Sequence, residues 1–111
     1  MQSFDIPLPV DRSTNVLPAA VQQACSAAGL TLTLDGTLKS YPGSRHWHYR
    51  RGRERGTLEI TFWPAQRRLW LKIAAGRTSA WITELLPSLQ AALAEAGQAL
   101  PVLVADQPQE R

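Results

Sequence analysis

A single cysteine, Cys25, stands in the whole chain, so no intrachain disulfide staples the fold; a reducing compartment suits it without being required. No apolar run approaches the roughly 18 residues that a membrane span needs. The first residues, MQSFDIPLPVD, carry neither the basic start nor the apolar core of a secretory signal. A cytoplasmic protein without membrane contact is the expectation. The usual catalytic signatures are missing as well: there is no glycine-rich phosphate loop, no serine at a nucleophile elbow, and only two histidines, His46 and His48. No catalytic residue is assigned, enzymatic activity is not the expected role, and no cofactor is called for.

Acids are scarce in one region. Residues 39–77 hold ten of the twelve Lys and Arg residues and only Glu54 and Glu59 as acids, a local charge of +8 that leaves −5 for the rest of a chain totalling +3. Charge gathered in this way raises the local potential far above its average and attracts phosphates, acidic protein or another polyanion. The plain alternative is a solvated arginine hairpin that confers solubility. With 44% apolar residues, a chain of this length fills one hydrophobic core rather than two, so residues 1–111 are read as a single domain.

Phe4, Ile6, Leu8 and Val10 alternate with Asp5, Pro7, Pro9 and Asp11, a period-2 pattern broken by prolines, which predicts an extended edge segment over residues 1–12. Ser13, Thr14 and Asn15 offer capping oxygens for a helix that begins near Pro18, buries Leu17, Val21, Ala24, Cys25 and Ala28, and stops at Gly29. Cys25 lies on that apolar stripe, which makes it a packing residue rather than a reactive thiol. Leu30, Leu32 and Leu34 then alternate with polar residues as a strand. A two-residue turn at Asp35-Gly36 would set Leu34 opposite Thr37 and mix the two faces, so residues 36–44 are read as a longer connection.

The next three strands carry the strongest pattern. In residues 57–63 Leu58, Ile60 and Phe62 point one way, and Thr57, Glu59, Thr61 and Trp63 the other. A four-residue turn at 64–67 pairs Trp63 with Arg68, and hence Phe62 with Leu69, Ile60 with Leu71, Thr61 with Trp70 and Glu59 with Lys72. A turn over 51–56 pairs Arg50 with Thr57, His48 with Glu59 and His46 with Thr61, turning Trp47 and Tyr49 inward. After Gly76, Thr78 and Ser79 can cap a second helix with Ile82, Leu85, Leu86, Leu89, Leu93 and Ala96 inside and Trp81 at the edge. Pro87 should kink it or divide it in two, Gly97 should end it, and residues 106–111 should form a flexible tail after an extended run at 100–105.

The predicted architecture is α+β: a two-layer sandwich in which a mainly antiparallel sheet of three to five strands has two helices packed on one face. The order helix, strands, helix is similar to that of the double-stranded-RNA-binding domain in topology alone. Ala74-Ala75-Gly76-Arg77-Thr78-Ser79 stands where that family has a lysine-rich helix start, and its function is not carried over.

In this register the open sheet face gathers His46, His48, Arg50, Glu59, Thr61, Trp63, Arg68, Trp70 and Lys72. The leading functional reading is a basic binding domain for nucleic acid or another polyanion. Trp63 and Trp70 would stack bases while Arg50, Arg51, Arg53, Arg55, Arg67, Arg68 and Lys72 follow phosphates. The alternative uses the same face as a protein-interaction or homodimer surface, since two large indoles in water mark an interface; an acidic protein is then the natural partner. The third reading is a metal site at His46, His48 and Glu59, because two imidazoles and a carboxylate suit zinc or iron. Its ordinary rival is a charged ladder in which Glu59 pairs with Lys72 across the central strand.

Overall fold

The computed structural model describes residues 2–102, so the tail expected over 106–111 lies outside the described residues, as do 103–105. Five strands form one antiparallel sheet: β1 (Gln2–Ile6), β2 (Thr31–Gly36), β3 (Arg45–Arg50), β4 (Leu58–Trp63) and β5 (Arg68–Ile73), in the order β1-β5-β4-β3-β2. Helix α1 (Leu17–Ala27) follows β1 and α2 (Ala80–Gln98) follows β5. β1 and β2 are therefore opposite edges, joined through α1, and the two-layer α+β architecture stands. No helix among the described residues is long and apolar enough to cross a membrane.

The meander has the register that its alternation dictates. β4 pairs with β5 from Trp63–Arg68 to Glu59–Lys72, and with β3 through His46–Thr61, His48–Glu59 and Tyr49–Leu58. The β3–β4 ladder stops there, one pair short of Arg50–Thr57. Gly56 takes a positive φ of +101°, and a Cβ on it would stand 2.8 Å from Ser79 Cβ, so the chain can pass this close to the start of α2 because residue 56 has no side chain. Thr57 N–H then donates to Arg77 C=O at 3.0 Å instead of continuing the ladder. At the other turn, Pro64–Gln66 makes one 3₁₀ turn and Arg67 closes it in the left-handed region, its guanidinium donating to the Pro9 and Arg12 carbonyls at 2.6 Å each.

One face of the sheet and the two helices enclose the core. Trp47, Leu58, Ile60, Leu69 and Leu71 from the strands meet Leu17, Val21 and Cys25 of α1 and Trp81, Ile82, Leu89 and Leu93 of α2. Each large apolar side chain buried in this way contributes about 1.5–3 kcal/mol. Trp81, expected at the helix edge, is buried, because its indole N–H donates to the Arg55 carbonyl at 2.7 Å and draws the ring under the arginine turn.

Several local expectations are corrected. α2 is one continuous helix through Pro87: that residue lies on the exposed side, and Trp81 and Ile82 before it and Leu89 and Leu93 after it dock on the same core. Gly97 does not end α2 but lies inside it. A Cβ there would stand 3.2 Å from Leu8 Cδ2, so the glycine serves close approach of the segment after β1. α1 starts without a side-chain cap, at Val16. In β2 a bulge between Leu32 and Leu34 pairs Leu32 with Tyr49 but Leu34 with His48, which puts the two leucines on opposite faces. β1 ends at Ile6, and Val10 is exposed rather than part of the alternation.

Candidate metal centre

Residues at alternate positions of a strand share a face, and directly paired residues share it too, so the sheet face away from the helices is a grid. One row, from β1 to β2, reads Asp5, Trp70, Thr61, His46, Gly36. The next reads Ser3, Lys72, Glu59, His48, Leu34. The residues expected on this face are brought together there, but not all of them are open to solvent.

The connection between β2 and β3 folds back over the tryptophans. Tyr41 packs edge-on against both indoles, with centroids 4.9 Å from Trp63 and 5.1 Å from Trp70. Trp63 donates its N–H to the Pro42 carbonyl at 3.0 Å, and the Arg68 guanidinium lies 4.5 Å over the Trp70 ring. Trp70 is left 6% exposed and Trp63 half-buried. The expectation of two open indoles is thus corrected: the chain's own Tyr41 occupies the position that a stacked base or an apolar partner would take. Tyr41 was missed in the sequence because it lies in a turn-like stretch. Its signal was that it is the lone aromatic in the connection.

Three of the seven cations of the expected binding surface are held within the chain by ion pairs or backbone carbonyls. Arg51 pairs with Glu54 at 2.7 Å and Arg68 with Asp5 at 3.0 Å, while Arg67 is held by its two backbone carbonyls. Arg53 and Arg55 are exposed and make no ion pair among the described residues. Arg50 and Lys72 are half-buried and likewise have no carboxylate partner; Arg50 donates one N–H to the Glu54 carbonyl at 3.2 Å, and its Nε has no hydrogen-bond partner.

The two histidines and Glu59 converge. His46 Nε2 lies 2.9 Å from His48 Nε2 and 3.6 Å from Glu59 Oε1, and His48 Nε2 lies 3.9 Å from Glu59 Oε2. One ligand atom from each residue lies within 4.8 Å of the others. The charged-ladder expectation therefore gives way: Glu59 turns toward the imidazoles, and Lys72, its partner in register, makes no ion pair among the described residues. On its other side His46 places Nδ1 2.8 Å from Thr61 Oγ1. With Nδ1 as the donor, Nε2 carries its lone pair toward His48 and Glu59, which is the tautomer that a metal-ligating imidazole adopts.

Burial is the main influence on the titration of His46, which is 7% exposed. Desolvation, the adjacent His48 and the Lys72 ammonium hold its pKa below the usual imidazole range, against an opposing pull from Glu59. The imidazole is thus kept neutral. Glu59, 9% exposed, accepts no hydrogen bond at its carboxylate among the described residues; its ionic neighbours are the two ring nitrogens. A shielded carboxylate beside two imidazoles is an arrangement that a cation stabilises.

Comparison with protein-family models, with curated proteins and with solved structures finds no match to this chain. Its chemistry is read from its own geometry.

Proposed function

We propose that this chain is a metal-binding domain that holds a divalent first-row ion, zinc or iron(II), through His46 Nε2, His48 Nε2 and a Glu59 carboxylate oxygen. The observation that carries the reading is the turning of Glu59 away from Lys72 and toward two imidazoles whose Nε2 atoms stand 2.9 Å apart. Two nitrogens each at about 2.1 Å from one ion are separated by about 3.0 Å at a right angle and about 3.4 Å at the tetrahedral angle. The observed spacing is near the first value, and the carboxylate oxygens stand 3.6 and 3.9 Å from the two ring nitrogens. The Thr61 hydroxyl supplies the outer hydrogen bond that orients a ligating imidazole. Three protein ligands leave coordination positions unfilled by the protein, the mark of a site that binds or activates a small molecule rather than of a closed structural site.

Elemental analysis of the purified protein, repeated on His46→Ala, tests this directly. Near-stoichiometric zinc or iron in the wild type and its loss in the variant is the expected result. Equal, substoichiometric metal in both, together with no cobalt(II) uptake, removes the reading.

The arginine turn supports polyanion or nucleic-acid binding as a second reading. Arg53 and Arg55 are exposed without ion pairs among the described residues, and the Thr57–Arg77 hydrogen bond brings Arg77 to the same end of the molecule. Phosphate contacts of this kind weaken steeply with salt. Binding of a single-stranded oligonucleotide at low salt, lost in the double variant Arg53→Ala/Arg55→Ala, is the outcome that favours it.

A further inference from the structure

We infer that the ligand of the metal site is a phosphate monoester, held as a dianion between the ion, Lys72 and Arg50. This rests on the metal reading above and names what its open positions take. Lys72 sits beside Glu59 in the same row, and Arg50 lies two residues beyond His48 on β3, hence on the same face. Both cations are half-buried and neither has a carboxylate partner among the described residues; Arg50 donates one N–H to the Glu54 carbonyl at 3.2 Å and keeps its Nε without a partner. The other guanidiniums of the sheet are spoken for: Arg45 by Asp35 at 3.1 Å and Arg68 by Asp5 at 3.0 Å.

Charge decides the class of ligand. An ion of charge +2 together with Glu59, Lys72 and Arg50 carries a surplus of three positive charges. A carboxylate removes one and a phosphate monoester dianion removes two, and the dianion has three oxygens to share among ion, ammonium and guanidinium. On the β2 side Gly36 presents no side chain beside His46, and Leu34, beside His48, is 44% exposed.

The test uses cobalt(II)-loaded full-length protein, whose visible bands report the coordination sphere, titrated with methyl phosphate in one arm and acetate in the other. Methyl phosphate should change the bands saturably and bind more tightly than acetate. Lys72→Met should keep the cobalt spectrum while weakening methyl phosphate about tenfold, the scale of one charge-assisted contact, and Lys72→Arg should recover most of the loss. If cobalt binds but methyl phosphate leaves the bands unchanged, or Lys72→Met binds it as well as the wild type, this inference is overturned and the metal reading stands. Acetate binding as tightly as methyl phosphate overturns the phosphate assignment in favour of a carboxylate ligand. Failure to bind cobalt at all overturns both.

Discussion

His46 Nδ1 lies 2.8 Å from Thr61 Oγ1 across the β3–β4 pair, a buried contact that sets which ring nitrogen faces the neighbouring histidine and carboxylate. Thr61 is 1% exposed, so its hydroxyl competes with no solvent for this bond. Thr61→Val keeps the shape and deletes the hydroxyl. It should weaken metal binding about 10- to 100-fold, the usual consequence of losing an outer hydrogen bond to a ligating imidazole, while Thr61→Ser should stay near the wild type. Competition against a chromophoric chelator measures this. Equal affinities in all three proteins would show that the hydroxyl does not orient the ring.

Tyr41 is the clamp on the two outer tryptophans, with its ring near 5 Å from both. Aromatic pairs of this kind contribute about 0.5–1.5 kcal/mol each beyond their buried area. Tyr41→Ala should therefore lower the unfolding free energy by about 1–3 kcal/mol and move tryptophan emission to the red as Trp70 meets water. Urea unfolding followed by fluorescence reads both effects. An unshifted spectrum would mean that the connection leaves these rings open in solution.

Burial pushes the Cys25 thiol up to about 12 from its ordinary 9.0, and the Tyr49 hydroxyl is also raised above its ordinary 10.0, again chiefly by burial. Both groups stay neutral in the fold at a pH where the unfolded chain has begun to ionise. Their stability contribution is intact below pH 9, is lost as pH rises from 9.0 toward 12 for Cys25, and steepens above 10.0 as Tyr49 joins. The slope for one such group is about 1.4 kcal/mol per pH unit. Cys25→Ala should flatten the first part of this decline, and the native thiol should react with a disulfide reagent only as fast as the protein opens. Rapid stoichiometric labelling at pH 8 would contradict the buried, neutral thiol.

Pro87 sits on the exposed side of a continuous α2, where it supplies no hydrogen-bond donor to the preceding turn. A proline in a helix interior costs about 3 kcal/mol relative to alanine. Because its ring lies outside the core, Pro87→Ala loses little packing and should stabilise the protein by about 1–3 kcal/mol, visible as a higher thermal midpoint. A lower midpoint would mean that the helix depends on a bend at this residue.

The register of β3, β4 and β5 was legible because it is a local property. From Leu58 to Trp63 a slip of one residue exchanges every side chain that faces the helices for one that faces away from them, and the short Pro64–Arg67 turn leaves one pairing that keeps both faces consistent. The grouping of His46, His48 and Glu59 on one face follows from the same alternation. Capping was less legible: Ser13, Thr14 and Asn15 are good capping residues, but docking of Leu17 and Val21 sets where α1 begins. Pro87 misled for a similar reason, since its local cost is outweighed by the apolar side chains that anchor the helix on both sides.

Alternation and turn length, which act between neighbours in the chain, thus determined from sequence alone the α+β class, the inner and outer faces of the meander and the residues that share a row. Tertiary structure alone decided what covers the outer face and which way Glu59 turns. Tyr41 is 22 residues from Trp63 and 29 from Trp70, and whether its ring reaches them depends on the path of a connection that has no periodicity to read. Glu59 had two partners in register, Lys72 on one side and His48 on the other, and pairing cannot choose between them. The choice falls to side-chain geometry around a shielded carboxylate, where the histidines converge and the lysine stands apart.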